Sequence, residues 1–339
     1  GAGFKHVIER GRIPASHDDI HVARIHQDTM NIASPWQLAE PNLSAICQQY
    51  DRPLESLASG DIPAIVLRQF VPQIDCCQLI QRCIGEGLLY DPQNPVSLEL
   101  DSVSVPEGHY REGKDQAWVQ AWAESTTTGN GPNRRIDIGT SLGYRGSDQE
   151  GYFEHSAATV RMLARLFDGM VNLVDVMYDA LQSLSIDKQV MTARENDGRG
   201  YGPAIIRAHY GGYEYKPHFD SVRNRENRTD YSVYDFDHQF GGILVLQNAE
   251  LNGTAAQARI HRCFWEPELT PHLQNDTFHD YARTKGIESC DVILDPGDLY
   301  FFNTGCIHEV PGVDGDEARI VLAVFIGYSS DRDVIQVWS

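Results

Sequence analysis

The chain is poor in positive charge. It carries 28 lysines and arginines against 48 aspartates and glutamates in 339 residues, a formal charge of −20. A surface of that sign repels phosphate backbones and anionic bilayers, so neither nucleic acid nor a membrane is an expected partner. Long apolar runs are missing too: none approaches the roughly 18 residues that a membrane-crossing helix needs. No signal peptide opens the chain, which begins Gly1-Ala2-Gly3, and a cytoplasmic location is expected, with the question of a removed targeting segment left open. The seven cysteines form no CxxC pair, and their number is odd. A disulfide framework or a zinc site is therefore not expected, and reduced, buried thiols fit better. Internal repeats and low-complexity tracts are absent as well.

What is present is ordinary for a globular enzyme: 41% hydrophobic and 22% charged residues. The length suits one large domain with extensions or two smaller ones. Residues 1–60 are mixed and broken by Pro14 and Pro35, and read as an extension packing on a core. Their cluster His17-Asp18-Asp19 with His21 reads as surface polarity rather than a metal site. A β-branched strand follows at 62–70. Asp75 then opens a helix to about Gly85, with Cys76, Leu79, Ile80 and Cys83 on one stripe. Residues 91–150 are rich in Gly, Ser, Thr and Asn and read as loop with short strands near Trp118 and Ile136. Their arginines, Arg134, Arg135 and Arg145, are expected in surface ion pairs. From 155 to 184, Val160, Leu163, Phe167, Val171, Val174, Met177 and Leu181 recur at helical steps, which predicts one long amphipathic helix on a sheet.

After residue 204 the pattern changes to strands. They are expected at 204–210, 215–220, 241–247, 291–294, 298–302 and 318–327, separated by glycine and proline turns. Such a series argues for a β-sandwich or jelly roll. Two inserts, 221–240 and 248–289, suit lids, the second with a short helix at 271–285. The domain expected is thus 61–339.

Within that region, residues i and i+2 of a strand share a face, so His218 and Asp220 can address one point. His308 would complete two imidazoles and one carboxylate, the ligand set of non-haem Fe(II) oxygenases with open positions opposite. Arg319, eleven residues further on, is placed to hold the far carboxylate of an acidic cosubstrate. A lone His-x-Asp is weak support, since a hydrogen-bonded strand histidine accounts for it equally well.

Longer stretches are more specific. The run Arg207 to Asp220 (RAHYGGYEYKPHFD), the glycine-led strand Phe240 to Leu246 (FGGILVL), the segment Asp295 to Val310 (DPGDLYFFNTGCIHEV) and Gly315 to Gly327 occur in this order. Together they resemble the Fe(II)/2-oxoglutarate-dependent dioxygenases, near the prolyl-hydroxylase-like branch, over roughly residues 60–339. The resemblance implies a mainly β fold with flanking helices, a double-stranded β-helix of the jelly-roll or cupin-like kind. It implies His218, Asp220 and His308 as iron ligands that also carry the catalysis. It implies Arg319 as the clamp on 2-oxoglutarate, because a guanidinium pairs with a carboxylate in a bidentate way, and Tyr210 as a helper in cosubstrate binding. Tyr215, Arg207, Tyr231 and Trp265 are weaker candidates for contact with substrate. Val321 stands where one branch of the family has serine, so the second cosubstrate contact stays open. Halogenases of the superfamily have Gly or Ala at the position of Asp220, and a carboxylate there points to oxygen transfer or desaturation.

The expected activity is hydroxylation of a small molecule using Fe(II), 2-oxoglutarate and O2, with succinate and CO2 released. Competing readings are a desaturase or cyclase, a peptide or protein hydroxylase, a jelly-roll metal enzyme needing no 2-oxoglutarate, and a non-catalytic β-sandwich binding module. Substrate identity and oligomeric state are not legible.

Overall fold

The structure, a computed structural model, describes residues 36–40, 42–89, 109–111, 134–210, 214–249, 256–312 and 317–339. The His17-Asp18-Asp19 cluster with His21, Trp118 and the Ser125 to Gly131 tract lie outside the described residues. From Gln37 onward the chain is one unit.

Its frame is a pair of antiparallel sheets. The large sheet runs in the order β1 (Ile65–Leu67), β10 (Leu299–Asn303), β7 (His238–Gln247), β12 (Arg319–Tyr328), β5 (Ile205–Tyr210), β3 (Arg134–Ile138) and β2 (His109–Arg111). At its border β13 (Val334–Trp338) pairs with β12, and β4 (Gln189–Thr192) pairs with β13 in parallel. The small sheet is β6 (Tyr215–His218), β11 (Cys306–Val310), β8 (Ala256–Phe264) and β9 (Ser289–Ile293). This is the mainly β, jelly-roll architecture with flanking helices expected from the strand series.

Strand alternation decides what faces where. On β12, Ile320, Leu322, Val324 and Ile326 belong to the main core, while Arg319, Val321, Ala323 and Phe325 line a cavity between the sheets. On β5, Ile206 and Ala208 go to the core, and Arg207 and His209 to the cavity. On β10 the same split separates Leu299 and Phe301 from Tyr300 and Phe302. The core side is covered by helices α1 (Leu43–Gln49), α2 (Pro53–Ser59), α3 (Gln73–Gly85), α5 (Gln149–Leu166) and α6 (Leu173–Ser185), all on the chain before β4, while the short α4 (Leu142–Arg145) places Leu142 in a separate aromatic cluster. Of these, α3 buries the four residues its periodicity predicts, Cys76, Leu79, Ile80 and Cys83, and starts two residues before Asp75.

The long helix expected at 155–184 is two helices. α5 ends at Leu166, Gly169 takes a left-handed φ of 70°, and Asn172 caps α6 by accepting from Val174 N and Asp175 N. The break rotates the stripe. Leu163, Phe167, Val174, Met177 and Leu181 are buried, but Val160 and Val171 are exposed. The 248–289 stretch also differs from a plain insert. It holds β8, a nine-residue central strand of the small sheet, followed by α7 (Thr270–Gln274) and α8 (Phe278–Lys285). Among the described residues no helix is long and apolar enough to cross a membrane.

Candidate metal and cosubstrate site

β6 and β11 pair with His218 directly opposite His308. The two rings are 4.3 Å apart at their centroids. Asp220 lies just past the end of β6, not on it. Its backbone is held instead by the β10–β11 turn: Asp220 N donates to Thr304 O at 2.9 Å, and Thr304 Oγ1 donates to Asp220 O at 2.9 Å. The result is a convergence. Asp220 Oδ2 is 3.6 Å from His218 Nε2 and 3.3 Å from His308 Nε2.

The tautomers are fixed by the backbone. His218 Nδ1 donates to Lys216 O at 2.6 Å, and His308 Nδ1 donates to Cys306 O at 2.8 Å. Carbonyls only accept, so the protons sit on Nδ1 and both Nε2 lone pairs face Asp220. Burial, helped by the neighbouring His218, lowers the His308 imidazole below the usual histidine range and keeps it neutral. Burial raises the Asp220 carboxyl, but the adjacent His218 and His308 outweigh this and hold it well below the carboxylate range. Two neutral imidazoles and an ionised carboxylate are the protonation states a metal needs. Phe302 packs edge-on to His308 at 4.9 Å. Gly241 makes room for that ring: a Cβ there would lie 2.8 Å from it.

Behind the triad stands a row of basic residues across the large sheet. Arg135 on β3, His209 on β5 and Arg319 on β12 are register partners. All three are buried. Arg319 Nη1 donates to Pro311 O at 3.0 Å. Its Nη2 is buried without a hydrogen-bond partner among the described residues. Burial lowers this guanidinium to about 10, so it remains charged at neutral pH. An uncompensated buried donor is costly. A carboxylate in the cavity would relieve it, which is the fit that a chelating dicarboxylate requires. Arg135 makes a 3.1 Å ion pair with Asp137 and donates from Nη1 to Tyr215 Oη at 2.7 Å.

The cavity has a volume of about 490 Å³ and contains the triad, Arg319, Arg207 and Tyr215. Two expected substrate contacts are not in its wall. Tyr231 is buried in an aromatic cluster with Tyr152, Phe153 and Tyr201 and donates to Gly146 O at 2.9 Å. Trp265 stacks on Phe219 at 4.6 Å and donates to Thr270 Oγ1 at 3.2 Å. Their aromatic surface serves packing. Tyr210 closes β5, and its side chain lies outside the described residues. Other residues in the wall were not legible. Arg135, expected on the surface, is 1% exposed and stands behind the wall, bonded to Tyr215. Arg225 and Glu226 come from the polar 221–240 stretch, and His209 from β5. Only His209, two residues from Arg207 on a strand, carried a sequence signal.

Residues 115–339 match the model of the family described as carrier-protein-independent halogenase WelO5. No curated protein matches the chain. The fold is similar to an N-substituted L-amino acid dioxygenase from Burkholderia ambifaria AMMD in complex with alpha-KG, at 16% identity and TM-score 0.46, covering 84% of this chain and 90% of that one. It is similar to HygX from Streptomyces hygroscopicus with nickel and 2-oxoglutarate bound, at 11% identity and TM-score 0.39, covering 82% and 88%. A Pseudomonas putida prolyl-4-hydroxylase is similar at 15% identity and TM-score 0.33, covering 83% and 96%.

Proposed function

We propose a reaction for this chain from the premise that it belongs to the WelO5 family, described as carrier-protein-independent halogenases, among the Fe(II)/2-oxoglutarate-dependent oxygenases. The reaction proposed is oxygenation, foremost hydroxylation, of a small molecule at the expense of 2-oxoglutarate. His218 Nε2, His308 Nε2 and Asp220 Oδ2 hold the iron, and Arg319 Nη2 takes the far carboxylate of 2-oxoglutarate. The iron, when bound, supplies the activation of O2 that no side chain can provide. The protein's own part is positional. The backbone acceptors at Lys216 and Cys306 aim both imidazoles, the Thr304 turn sets the carboxylate, and the walls of Ile243, Phe302, Val310 and Phe325 keep water off the reacting bond.

One observation carries the reading: three ligand atoms converge in the same cavity as a buried guanidinium nitrogen that lacks an acceptor. A small substrate is favoured because the cavity, about 490 Å³, is of the size that takes a metabolite-sized molecule. The 221–240 stretch suits a lid, since Arg225 and Glu226 reach the cavity from it.

Halogenation is the second reading, on the family's description. Asp220 weighs against it, because its carboxylate fills the position that a halide would need at the metal. The test adds Fe(II) and 2-oxoglutarate without oxygen. A weak visible charge-transfer band should appear, and be lost when Asp220→Ala and His308→Ala are combined. With O2, chloride and a panel of candidate metabolites, the product should gain oxygen and not chlorine. A chlorinated product from the unaltered protein would select the second reading, and no iron binding at all would remove both.

A further inference from the structure

A second cluster of metal-type ligands lies on the opposite face of the small sheet. Side chains alternate along β11, so His308 points into the catalytic cavity and Glu309 points away from it. On that outer face Glu309 Oε2 is 3.0 Å from His261 Nε2, on β8, and 2.8 Å from His279 Nε2, on α8. Both imidazoles address the same carboxylate oxygen. His261 is buried and packs edge-on against Phe278 at 4.9 Å, which fixes its ring. His279 is the exposed member. The three residues come from three separate elements, yet their ligand atoms all lie within 4.8 Å of one another.

We propose that His261, His279 and Glu309 form a second divalent metal site, distinct from the catalytic triad, that takes zinc or a similar borderline ion. Two imidazoles and one carboxylate are a recurrent zinc donor set, and three protein ligands leave a fourth position for water or an outside ligand. That position has room, because Glu309 and His279 border a separate cavity of about 320 Å³. The chain's charge of −20 concentrates divalent cations at its surface.

An ion at this point staples α8 to β8 and β11. Residue 309 is the chain neighbour of His308, so the staple also steadies the strand that presents a catalytic ligand. Such an ion binds only the folded chain and raises its stability with ion concentration. The outer site does not depend on the iron reading.

The test is metal counting on untagged protein dialysed against low Zn(II), for the unaltered chain and for His279→Ala. The exposed position of His279 makes that variant safe for folding. Glu309→Gln is a second probe that keeps shape and removes the charge. The unaltered chain is expected to retain two zinc ions, and each variant one. The charge-transfer band given by Fe(II) and 2-oxoglutarate should be unchanged in His279→Ala. A drop from one ion to none would support the outer site while removing the inner one. The same count in the unaltered chain and in His279→Ala overturns the proposal, leaving a His–Glu–His hydrogen-bond clamp in its place.

Discussion

Arg225 divides the Asp220 carboxylate. Its Nη1 donates to Oδ1 at 2.8 Å and to Phe219 O at 2.9 Å, which leaves Oδ2 to face the two histidines. A carboxylate tied at one oxygen binds a metal through the other, and the tie sets its angle. Arg225 is half exposed, so the ion pair itself contributes little to stability. Arg225→Gln should therefore leave folding intact and weaken Fe(II) or Co(II) binding about 10- to 100-fold. Metal titration of the two proteins checks this. Equal affinities would mean that Arg225 is a surface side chain with no hold on the ligand.

Arg319 is the complementary case, a buried guanidinium whose proposed partner is the far carboxylate of 2-oxoglutarate. Truncating one member of a buried charge pair costs about 2–5 kcal/mol. Arg319→Met should thus weaken 2-oxoglutarate binding by roughly 30-fold to a few thousand-fold, with iron affinity nearly unchanged. Arg319→Lys keeps the charge but loses the fork, and should fall between. Titration of the charge-transfer band with 2-oxoglutarate at saturating iron measures both. An unchanged midpoint in Arg319→Met would remove the guanidinium from the cosubstrate site.

The convergence of the three side chains was legible only in part. The two-residue spacing of His218 and Asp220 suggested it, yet Asp220 lies past β6 and is set by the Thr304 turn. His308 came from the resemblance, because β11 was not among the expected strands, whereas Arg319 sits on a strand with clear alternation. The β-frame was legible for the same reason, with β5, β7, β10 and β12 found within a few residues of their expected bounds. β8 was not. Its sequence, AQARIHRCF, sets the small or apolar Ala256, Ala258 and Ile260 against the polar Gln257, Arg259 and His261, but the alternation lapses at Arg262 and Cys263 and two alanines make a weak apolar face. Arg135 was misplaced for a related reason. A basic residue on an acidic chain reads as surface, and only the register of β3 on β5 puts it beside His209. The split between α5 and α6 turned on one glycine inside an otherwise continuous stripe.

All seven cysteines are unpaired, and their surroundings sort their reactivity. Burial pushes the Cys76 thiol up to about 11 and those of Cys83 and Cys306 up to about 12. A buried thiol is both inaccessible and protonated at neutral pH. Cys77, next to Cys76 in the chain, points outward from the same helix and is exposed. A thiol reagent at neutral pH should label Cys77 first, and Cys77→Ser should abolish the fast phase. Peptide mapping of the labelled native protein should find Cys76, Cys83 and Cys306 unmodified until denaturant is added. Early labelling of Cys306 would mean that the turn carrying Asp220 and His308 opens readily.

His209 makes stability depend on pH. It is 4% exposed and stands between Arg319 and Arg135 in the sheet register. Burial, and then the charges of Arg319, Arg135 and Arg207, hold its imidazole well below the usual range. In the native protein it is neutral. In the unfolded chain it takes up a proton below about pH 6.5. The unfolded state therefore binds more protons as the medium is acidified, and native stability falls. Its contribution is complete above about pH 6.5 and is lost progressively toward the depressed folded value. The slope approaches about 1.4 kcal/mol per pH unit for one proton. Other groups, Asp220 among them, add losses of the same sign, so the total curve does not isolate His209. A comparison does. His209→Gln cannot take the proton, and urea unfolding of the metal-free proteins from pH 7.5 to 5 should show a shallower decline in the variant. Above pH 7 the difference between the two should be constant. Parallel curves throughout would mean that the imidazole is already protonated in the native protein, with an anion beside it that the row of arginines gives no reason to expect.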